Sequence, residues 1–256
     1  MIVTTRAIVL HSIRYGDQKV IVSLLTQTEG RLSVVARIPT TQRGKLKKQL
    51  FQPMNIIEAQ IDIRPQAELQ HFRDIRLAIP YSSIPFHAEK LAIALFLAEF
   101  IYYGTREERN NPNLYDYIEN SLLWLDGCQH DFANFHLVFM MRMTRFIGFY
   151  PNIEDYHPGD YFDLQAACFT HQPPLQVGND RQSPLSHSSP ITQVLNAEDA
   201  SHISTLMRMN YESMHLFRMS HHERNRITNV LIQYYRLHVS GFPQLQSLAV
   251  VQELWK

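Results

Sequence analysis

The spacing of apolar residues changes from a strand pattern to a helix pattern near Pro80, and this change most limits how the chain can fold. Before it, short segments rich in Ile, Val and Leu alternate with turn residues, as β-strands do. After it, apolar residues recur at the three- and four-residue intervals of amphipathic helices. The sequence therefore predicts an α+β multidomain protein, with a β-domain over residues 1–80 and an all-α domain over residues 81–256.

The first 80 residues predict a small β-barrel. Tyr15-Gly16-Asp17 and Glu29-Gly30-Arg31 are typical of tight turns, because glycine adopts the positive φ that such turns often need. About five short strands in this length fit an OB-fold. The predicted strands are Thr5–Ser12, Val20–Gln27, Arg31–Arg37, Met54–Ile61 and Leu69–Ile75.

The rest of the chain predicts helices interrupted by one irregular insertion. Residues 151–190 are rich in proline and in short Ser, His and Asn patches, which disfavour regular structure. The predicted helices are Pro85–Tyr103, Asn113–Leu125, Phe132–Phe149, Ala197–Arg208, Tyr211–Phe217, Ser220–Ser240 and Gln244–Leu254.

The formal net charge is zero, but the two predicted domains carry opposite charge. Residues 1–80 contain 12 Lys or Arg and 6 Asp or Glu, whereas the remaining residues contain 12 and 18. A basic domain is typical of phosphate binding, although an ordinary charged surface would give the same count. The excess is concentrated in a loop after the third predicted strand, so we predict a sequence-independent nucleic-acid contact there. The residues predicted to hold phosphates are Arg31, Arg37, Arg43, Lys45, Lys47 and Lys48.

Few aromatic residues near this loop could stack on bases. Phe51 and Phe72 are the nearest, and both also fit a barrel core.

The third predicted helix carries a stripe of aromatic residues and methionines. Such a stripe favours a helical core and, alternatively, a groove for an amphipathic peptide with an acidic end. The predicted peptide-binding residues are Phe139, Arg142, Arg145 and Phe146.

Common catalytic motifs are absent from the sequence, including the Walker phosphate loop, the dinucleotide fingerprint, the zinc-protease HExxH and the hydrolase GxSxG. Cys168 and His171, with His157 upstream, are candidate zinc ligands. They number three, whereas structural zinc usually takes four ligands in paired short spacings. We therefore predict no catalytic residue, metal or cofactor, and a partly buried free thiol with surface histidines at this place.

Two further features bear on the compartment. The apolar run Leu91–Ile101 is interrupted by Glu99 and is too short to span a membrane. The N-terminus lacks the charged and apolar regions of a signal peptide, and Cys128 and Cys168 are too few for a disulfide framework. We expect a cytoplasmic, nucleoid-associated protein with no membrane partner.

Three stretches of the sequence carry a distinctive set of motifs in a fixed order. The first contains a Tyr-Gly-acidic turn, a Leu-Leu-Thr strand and a Gly-Arg turn, the second a Gln-Pro strand entry, and the third a C-terminal helix. In order, they are AIVLHSIRYGDQKVIVSLLTQTEGRLSVVAR (Ala7–Arg37), LFQPMNIIE (Leu50–Glu58) and LIQYYRLHVSGFPQLQSLAVVQELW (Leu231–Trp255). Together they resemble the RecO family of bacterial recombination and DNA repair proteins.

This resemblance implies an N-terminal OB-fold, a helical C-terminal domain and a non-enzymatic role. It implies binding of single- and double-stranded DNA and annealing of complementary strands. The implied protein partners are the C-terminal tail of single-stranded DNA-binding protein, RecR and, in many bacteria, RecF. With them, RecO-like proteins help load RecA onto coated single strands.

The sequence departs from the family pattern in two places. Many members carry a four-cysteine zinc site where this chain keeps only Cys168, so the resemblance implies a lost zinc site. We expect packing by Tyr150, Tyr156, Tyr161 and Phe162 to replace it. The basic loop, IPTTQRGKLKK, replaces a version richer in glycine and arginine.

Two alternative functions remain open from the sequence. A protein–protein adaptor with weak DNA contact predicts salt-insensitive partner binding and no annealing. A hydrolase that uses the histidine-rich insertion predicts bound metal and sensitivity to chelators.

Overall fold

The computed structural model describes residues 1–38, 41, 48–108, 110–154, 156–172 and 194–254. The chain divides into two compact units, which we call the first unit (Met1–His136 with Gly241–Lys256) and the second unit (Leu137–Ser240). The predicted boundary near residue 80 lies at the end of the last barrel strand, inside the first unit. That domain boundary stays a prediction.

Five strands of the first unit close into a barrel. They are β1 Ile2–Tyr15, β2 Lys19–Thr26, β3 Gly30–Arg37, β4 Ile56–Asp62 and β5 Gln70–Ile79. Their order around the barrel is β1-β2-β3-β5-β4, and neighbours pair antiparallel, except that β3 and β5 pair in parallel over a short stretch. Gly16 and Gly30 have φ values of 69° and 68° at the two hairpin turns, as the sequence predicts. The predicted OB-like barrel is confirmed.

Alternate residues of each strand fill the barrel interior. Val22 and Leu24 of β2 are fully buried, in accord with the two-residue period of a strand. Phe51 and Phe72 pack in the same core with ring centroids 5.7 Å apart. These two rings are therefore core residues and leave base stacking to other side chains.

Helices of the first unit pack on the barrel. They are α1 Ala88–Gly104, α2 Pro112–Gly127, the beginning of α3 (Phe135–Ile147) and α6 Leu248–Gln252. Arg6 of β1 donates from Nη1 to Glu119 Oε1 of α2 at 2.9 Å. Glu99 of α1 accepts hydrogen bonds from the backbone N–H groups of Gln246 and Ser247 at 2.9 and 2.8 Å, just before α6.

A buried carboxylate holds the segment that joins the barrel to α1. Asp126 of α2 accepts hydrogen bonds from the backbone N–H groups of Ser82, Ser83 and Ile84, each at 2.8 Å. Lys90 of α1 is 2% exposed and donates to Ser83 Oγ at 2.6 Å. Because a buried N–H group needs a hydrogen-bond acceptor, this carboxylate stabilises the turn that leads into α1.

The second unit has a helical core. Phe139 and Met140 of α3 are fully buried, and the Tyr235 hydroxyl donates to the Met140 carbonyl oxygen at 2.8 Å. Ser220 and Glu223 form a capping box at the start of α5. Its further helices are α4 Ala197–Arg208 and α5 His221–His238.

Most predicted helices are observed within a few residues of their predicted bounds. The predicted helix Tyr211–Phe217 is reduced to a single 3-10 turn at Met214–Leu216. None of the helices in the described ranges combines the length and apolar composition needed to span a membrane.

The second unit also contains a small sheet that the sequence does not predict. Strands β6 Tyr161–Asp163, β7 Cys168–Thr170 and β8 Val194–Leu195 pair in the order β7-β6-β8. Strands of two or three residues are too short to show an apolar period, so the sequence predicts only irregular structure there. The predicted helical C-terminal part is confirmed, with this small sheet as an addition at the place of the predicted irregular insertion.

Aromatic rings pack against one another in this small sheet. The Phe162 ring lies 4.9 Å from the Phe169 ring across β6 and β7. The Tyr156 ring also packs on Phe169, with the two ring centres 4.9 Å apart. Tyr156 and Phe162 therefore both pack on Phe169, whereas a role of this packing in place of zinc stays a prediction.

Candidate nucleic-acid interface

The end of the β1–β2 hairpin carries a row of exposed side chains across three strands. Tyr15 pairs with Lys19, and Lys19 pairs with Arg37 on β3. Directly paired residues face the same side of a sheet, so these three lie side by side on the outer barrel surface. Tyr15 is 55% exposed, and both cations are exposed as well. The row places two positive charges beside one aromatic ring.

A groove of about 310 Å³ lies next to this row. Arg14, Lys19 and Lys48 line it, together with the acidic Asp17 in the turn. Arg14 Nε donates to the Gly16 carbonyl oxygen at 3.2 Å, which ties the guanidinium to the turn. We call the row and groove together the hairpin-end surface, formed by Arg14, Tyr15, Lys19, Arg37 and Lys48.

The cations of this surface differ from those on β5. Arg73 Nη2 lies 2.9 Å from Asp62 Oδ2, and Arg76 Nη2 lies 2.5 Å from Glu58 Oε1. Within the described part of the chain, by contrast, no carboxylate forms an ion pair with a cation of the hairpin-end surface. Pairing lowers the positive potential of the β5 face, so the hairpin-end surface is better suited to attract phosphates.

Arg31 lies elsewhere on the barrel. It is on the same face of β3 as Arg37 but six residues away, a separation of about 20 Å along a strand. Its Nη1 donates to the Tyr102 carbonyl oxygen at 2.9 Å and to Thr105 Oγ1 at 2.8 Å, and its guanidinium lies 5.0 Å from the Tyr102 ring centre. Burial lowers the pKa of Arg31 to about 10, which leaves it cationic at neutral pH. These contacts join the barrel to α1 and give Arg31 a structural role.

The remaining predicted DNA-binding residues divide into two groups. Arg37 and Lys48 belong to the hairpin-end surface. Arg43, Lys45 and Lys47 lie outside the described residues. Ile38 before this segment and Lys48 after it both line the groove. The DNA-binding role of all six residues stays a prediction.

The sequence-based reasoning missed Tyr15, Arg14 and Lys19 as site residues. Tyr15 was interpreted only as part of a turn, and the two cations only as part of the charge total. A signal was available, because a hairpin that turns at Gly16 places Tyr15 opposite Lys19.

The predicted peptide-binding residues on α3 have different environments. Phe139 is fully buried, so it belongs to the core that the sequence favours for this stripe. Arg142 Nε donates to the Met209 carbonyl oxygen at 3.1 Å. Arg145 is exposed and lies 4.2 Å from the Tyr150 ring centre, and Phe146 is half-buried. Peptide binding by α3 stays a prediction.

Two of the three candidate metal ligands come together, with a residue that the sequence-based reasoning left out. Potential ligand atoms of His157, Asp160 and His171 all lie within 4.8 Å of one another. Burial alone would raise the pKa of Asp160, but hydrogen bonds from the His157 N–H and the His171 ring hold it below its usual value. Cys168 is not in this group, because it pairs with Asp163 at the other end of the β6–β7 ladder.

Sequence comparisons match the whole length of the chain to one family. Residues 1–81 match the family described as "Recombination protein O N terminal", and residues 86–248 match "Recombination protein O C terminal". The DNA repair protein RecO of Bacteroides fragilis is 45% identical over 255 residues, and that of Phocaeicola vulgatus is 44% identical over 255 residues, with 100% of each chain covered. RecO of Azobacteroides pseudotrichonymphae is 33% identical with the same coverage. With its N-terminal barrel and helical C-terminal part matched in this order, the chain belongs to the RecO family of DNA repair proteins.

Proposed function

We propose that this chain is a recombination mediator whose hairpin-end surface holds the phosphate backbone of DNA. The observation that carries the proposal is the exposed row of Tyr15, Lys19 and Arg37 beside a groove lined by Arg14 and Lys48. Cations without carboxylate partners release the condensed counterions of DNA when they contact phosphates. Such a surface binds single- and double-stranded DNA without reading its sequence.

The Tyr15 ring adds a contact with unpaired bases, which single-stranded DNA exposes and duplex DNA does not. Bases of a single strand are free to stack on an exposed ring, which contributes about 1–3 kcal/mol per base. Tyr15, beside Lys19, lies where a base can stack while its phosphate meets a cation. This arrangement supports a preference for single strands and for partly unpaired intermediates.

Annealing follows from charge and needs no catalytic residue. Two complementary strands repel each other, and a basic surface that holds both lowers this repulsion while they pair. The proposed role is therefore non-enzymatic. With RecR, and with RecF in bacteria that use it, the protein would help load RecA onto single strands in the cytoplasm, at the nucleoid.

The proposed protein partner of the second unit is the acidic and apolar tail of single-stranded DNA-binding protein. Arg145 is exposed on α3, with half-buried Phe146 next to it. A cation beside an apolar ring suits a tail that combines carboxylates with apolar side chains. The proposed contact residues are Arg142, Arg145 and Phe146.

Reversing two charges of the hairpin-end surface is expected to weaken DNA binding and to flatten its salt dependence. Each lost phosphate contact lowers the slope of log affinity against log salt by about 0.7 for single strands, so Lys19→Glu with Arg37→Glu should lower it by about 1.4. Fluorescence anisotropy with a labelled oligonucleotide at several salt concentrations measures the slope.

A matched control reverses two exposed cations of the second unit, Arg218→Glu with Arg236→Glu, which change the net charge equally. The control should retain the wild-type slope. Equal slopes for all three proteins would show that the hairpin-end surface does not hold DNA. If the wild type itself binds and anneals DNA weakly while its partner proteins bind tightly at every salt concentration, the adaptor function replaces the mediator function.

Removing the exposed ring is expected to affect single strands selectively. Tyr15→Leu keeps an apolar side chain but loses the stacking face, which should weaken single-strand binding by about 1–3 kcal/mol. The salt slope and the duplex affinity should stay unchanged, since no charge is altered, and they serve as internal controls. Equal losses for single strands and duplexes would contradict a stacking role for Tyr15.

A further inference from the structure

A buried carboxylate lies between two exposed imidazoles in the second unit. The Asp160 side chain is 4% exposed, whereas those of His157 and His171 are 67% and 68% exposed. His171 Nδ1 lies 2.5 Å from Asp160 Oδ1, and His157 Nδ1 lies 3.8 Å from Asp160 Oδ2. The two imidazole rings are 4.9 Å apart, so three potential ligand groups converge at one point of the surface.

The fold holds this arrangement in place. Tyr161 pairs with Thr170 as the last pair of the β6–β7 ladder, so Asp160 and His171 occupy facing positions just beyond it. The turn before β6 brings in the third group, because the His157 backbone N–H donates to Asp160 Oδ2 at 2.7 Å.

The chemistry of the three groups selects a class of ion. Imidazole nitrogen with one carboxylate suits zinc, cobalt and nickel, whereas magnesium and calcium prefer oxygen ligands alone. Around a tetrahedral zinc ion, ligand atoms lie roughly 3.4 Å apart, given bond lengths of about 2.0–2.2 Å. The observed separations run from 2.5 Å to at most 4.8 Å, so rotation of the two exposed imidazoles would have to lengthen the shortest and shorten the longest.

We propose that His157, Asp160 and His171 form a binding site for a divalent transition-metal ion such as Zn²⁺. The ion cross-links the open end of the β6–β7 hairpin to the turn before it, and its remaining coordination position faces solvent. This ligand set uses two histidines and a carboxylate, with no cysteine. The sequence-based expectation, by contrast, is that this chain binds no metal, and the test below distinguishes the two.

Cys168 takes no part in this site, although it lies three residues before His171. Cys168 pairs with Asp163 at the other end of the β6–β7 ladder, whereas His171 lies just beyond the Tyr161–Thr170 pair. Because the extended strand separates these two positions, the Cys-x-x-His spacing does not bring Cys168 into the ligand group.

The test is calorimetric titration of the chelator-treated full-length chain with ZnCl₂ and, separately, with MgCl₂. We expect one Zn²⁺ per chain, no Mg²⁺ binding, and a higher melting temperature with Zn²⁺. His157→Ala and His171→Ala should each weaken Zn²⁺ binding about tenfold or more and remove the melting shift. Both side chains are exposed, so the variants should fold. His215→Ala, an exposed histidine elsewhere in the second unit, should behave like the wild type.

Visible absorption of the Co²⁺-substituted chain gives a second measurement, which reports coordination directly. Asp160→Asn is expected to change the Co²⁺ spectrum, since it replaces a charged ligand. The proposal is overturned if the wild type shows no Zn²⁺ binding, which would make the cluster an ion-paired group without metal. It is also overturned if both histidine variants bind Zn²⁺ as tightly as the wild type, which would place the ion elsewhere.

Discussion

Replacing Asp126 by alanine is expected to lower the free energy of unfolding of the first unit by about 3–5 kcal/mol. The substitution removes the acceptor for three backbone N–H groups, of which those of Ser83 and Ile84 are buried. It also removes the negative charge next to Lys90, which is 2% exposed. Removing one partner from a buried polar network costs far more than the network contributes net, because the other groups stay desolvated.

Urea unfolding followed by Trp124 fluorescence measures this loss. Trp124 lies in α2 of the first unit, stacked on Phe135 with ring centres 5.8 Å apart. Asp116→Ala on the same helix is the matched control, since Asp116 is exposed and its removal should change stability by about 0.5 kcal/mol or less. A loss below 1 kcal/mol for Asp126→Ala would show that water replaces the carboxylate as acceptor.

The loss is also expected to depend on pH. Burial alone would raise the pKa of Asp126, but its hydrogen bonds from Ser82, Ser83 and Ile84 outweigh burial and lower the pKa below its usual value. The ionised carboxylate therefore stabilises the folded unit above the unfolded pKa of about 3.9. This contribution is lost as the pH falls through the folded pKa. The stability difference between wild type and Asp126→Asn should shrink in that acidic range and stay constant near neutrality.

The barrel could be predicted from the sequence because its elements are defined locally. Turns at Gly16 and Gly30 separate strands whose apolar residues form a core, and each feature is visible within about ten residues. Strand ends were harder to predict. The tip of β1 extends to Tyr15 beyond the predicted Ser12, and its last three residues are exposed rather than buried in the core.

The residues of the candidate sites were harder to predict than the barrel, because their roles depend on tertiary contacts that sequence spacing does not show. Arg31 and Arg37 both count as basic residues of one strand, but α1 covers the first and leaves the second exposed. The metal-ligand group required Asp160, which the sequence marks only as one acidic residue in an irregular segment. Its role arises from the register of two three-residue strands, whose pairing is a tertiary effect.

Phe139 decides between the two interpretations of the α3 stripe. Its side chain has 0% exposure in the second unit, so Phe139→Ala is expected to lower the free energy of unfolding of that unit by about 3–5 kcal/mol. The cost combines the lost transfer free energy of the ring with the cavity that remains. Hydrogen–deuterium exchange of peptides from α3 and α5 measures the loss. Phe86→Ala truncates the same side chain at a site with 79% exposure and should change stability little.

A second measurement, the affinity of the milder variant Phe139→Leu for the acidic tail peptide, tests whether Phe139 lines a peptide groove or belongs to the core. This variant retains part of the buried volume, and because the wild-type ring has no exposed surface, its peptide affinity should equal that of the wild type. Arg145→Glu, by contrast, should weaken binding of the acidic tail peptide, since Arg145 is exposed and its charge is reversed. A stable Phe139→Ala protein with impaired peptide binding would mean that the ring lines a groove that opens in solution. If Phe139→Ala is destabilised and Phe139→Leu binds the peptide normally, the stripe is core. The partner then contacts only the exposed edge of α3.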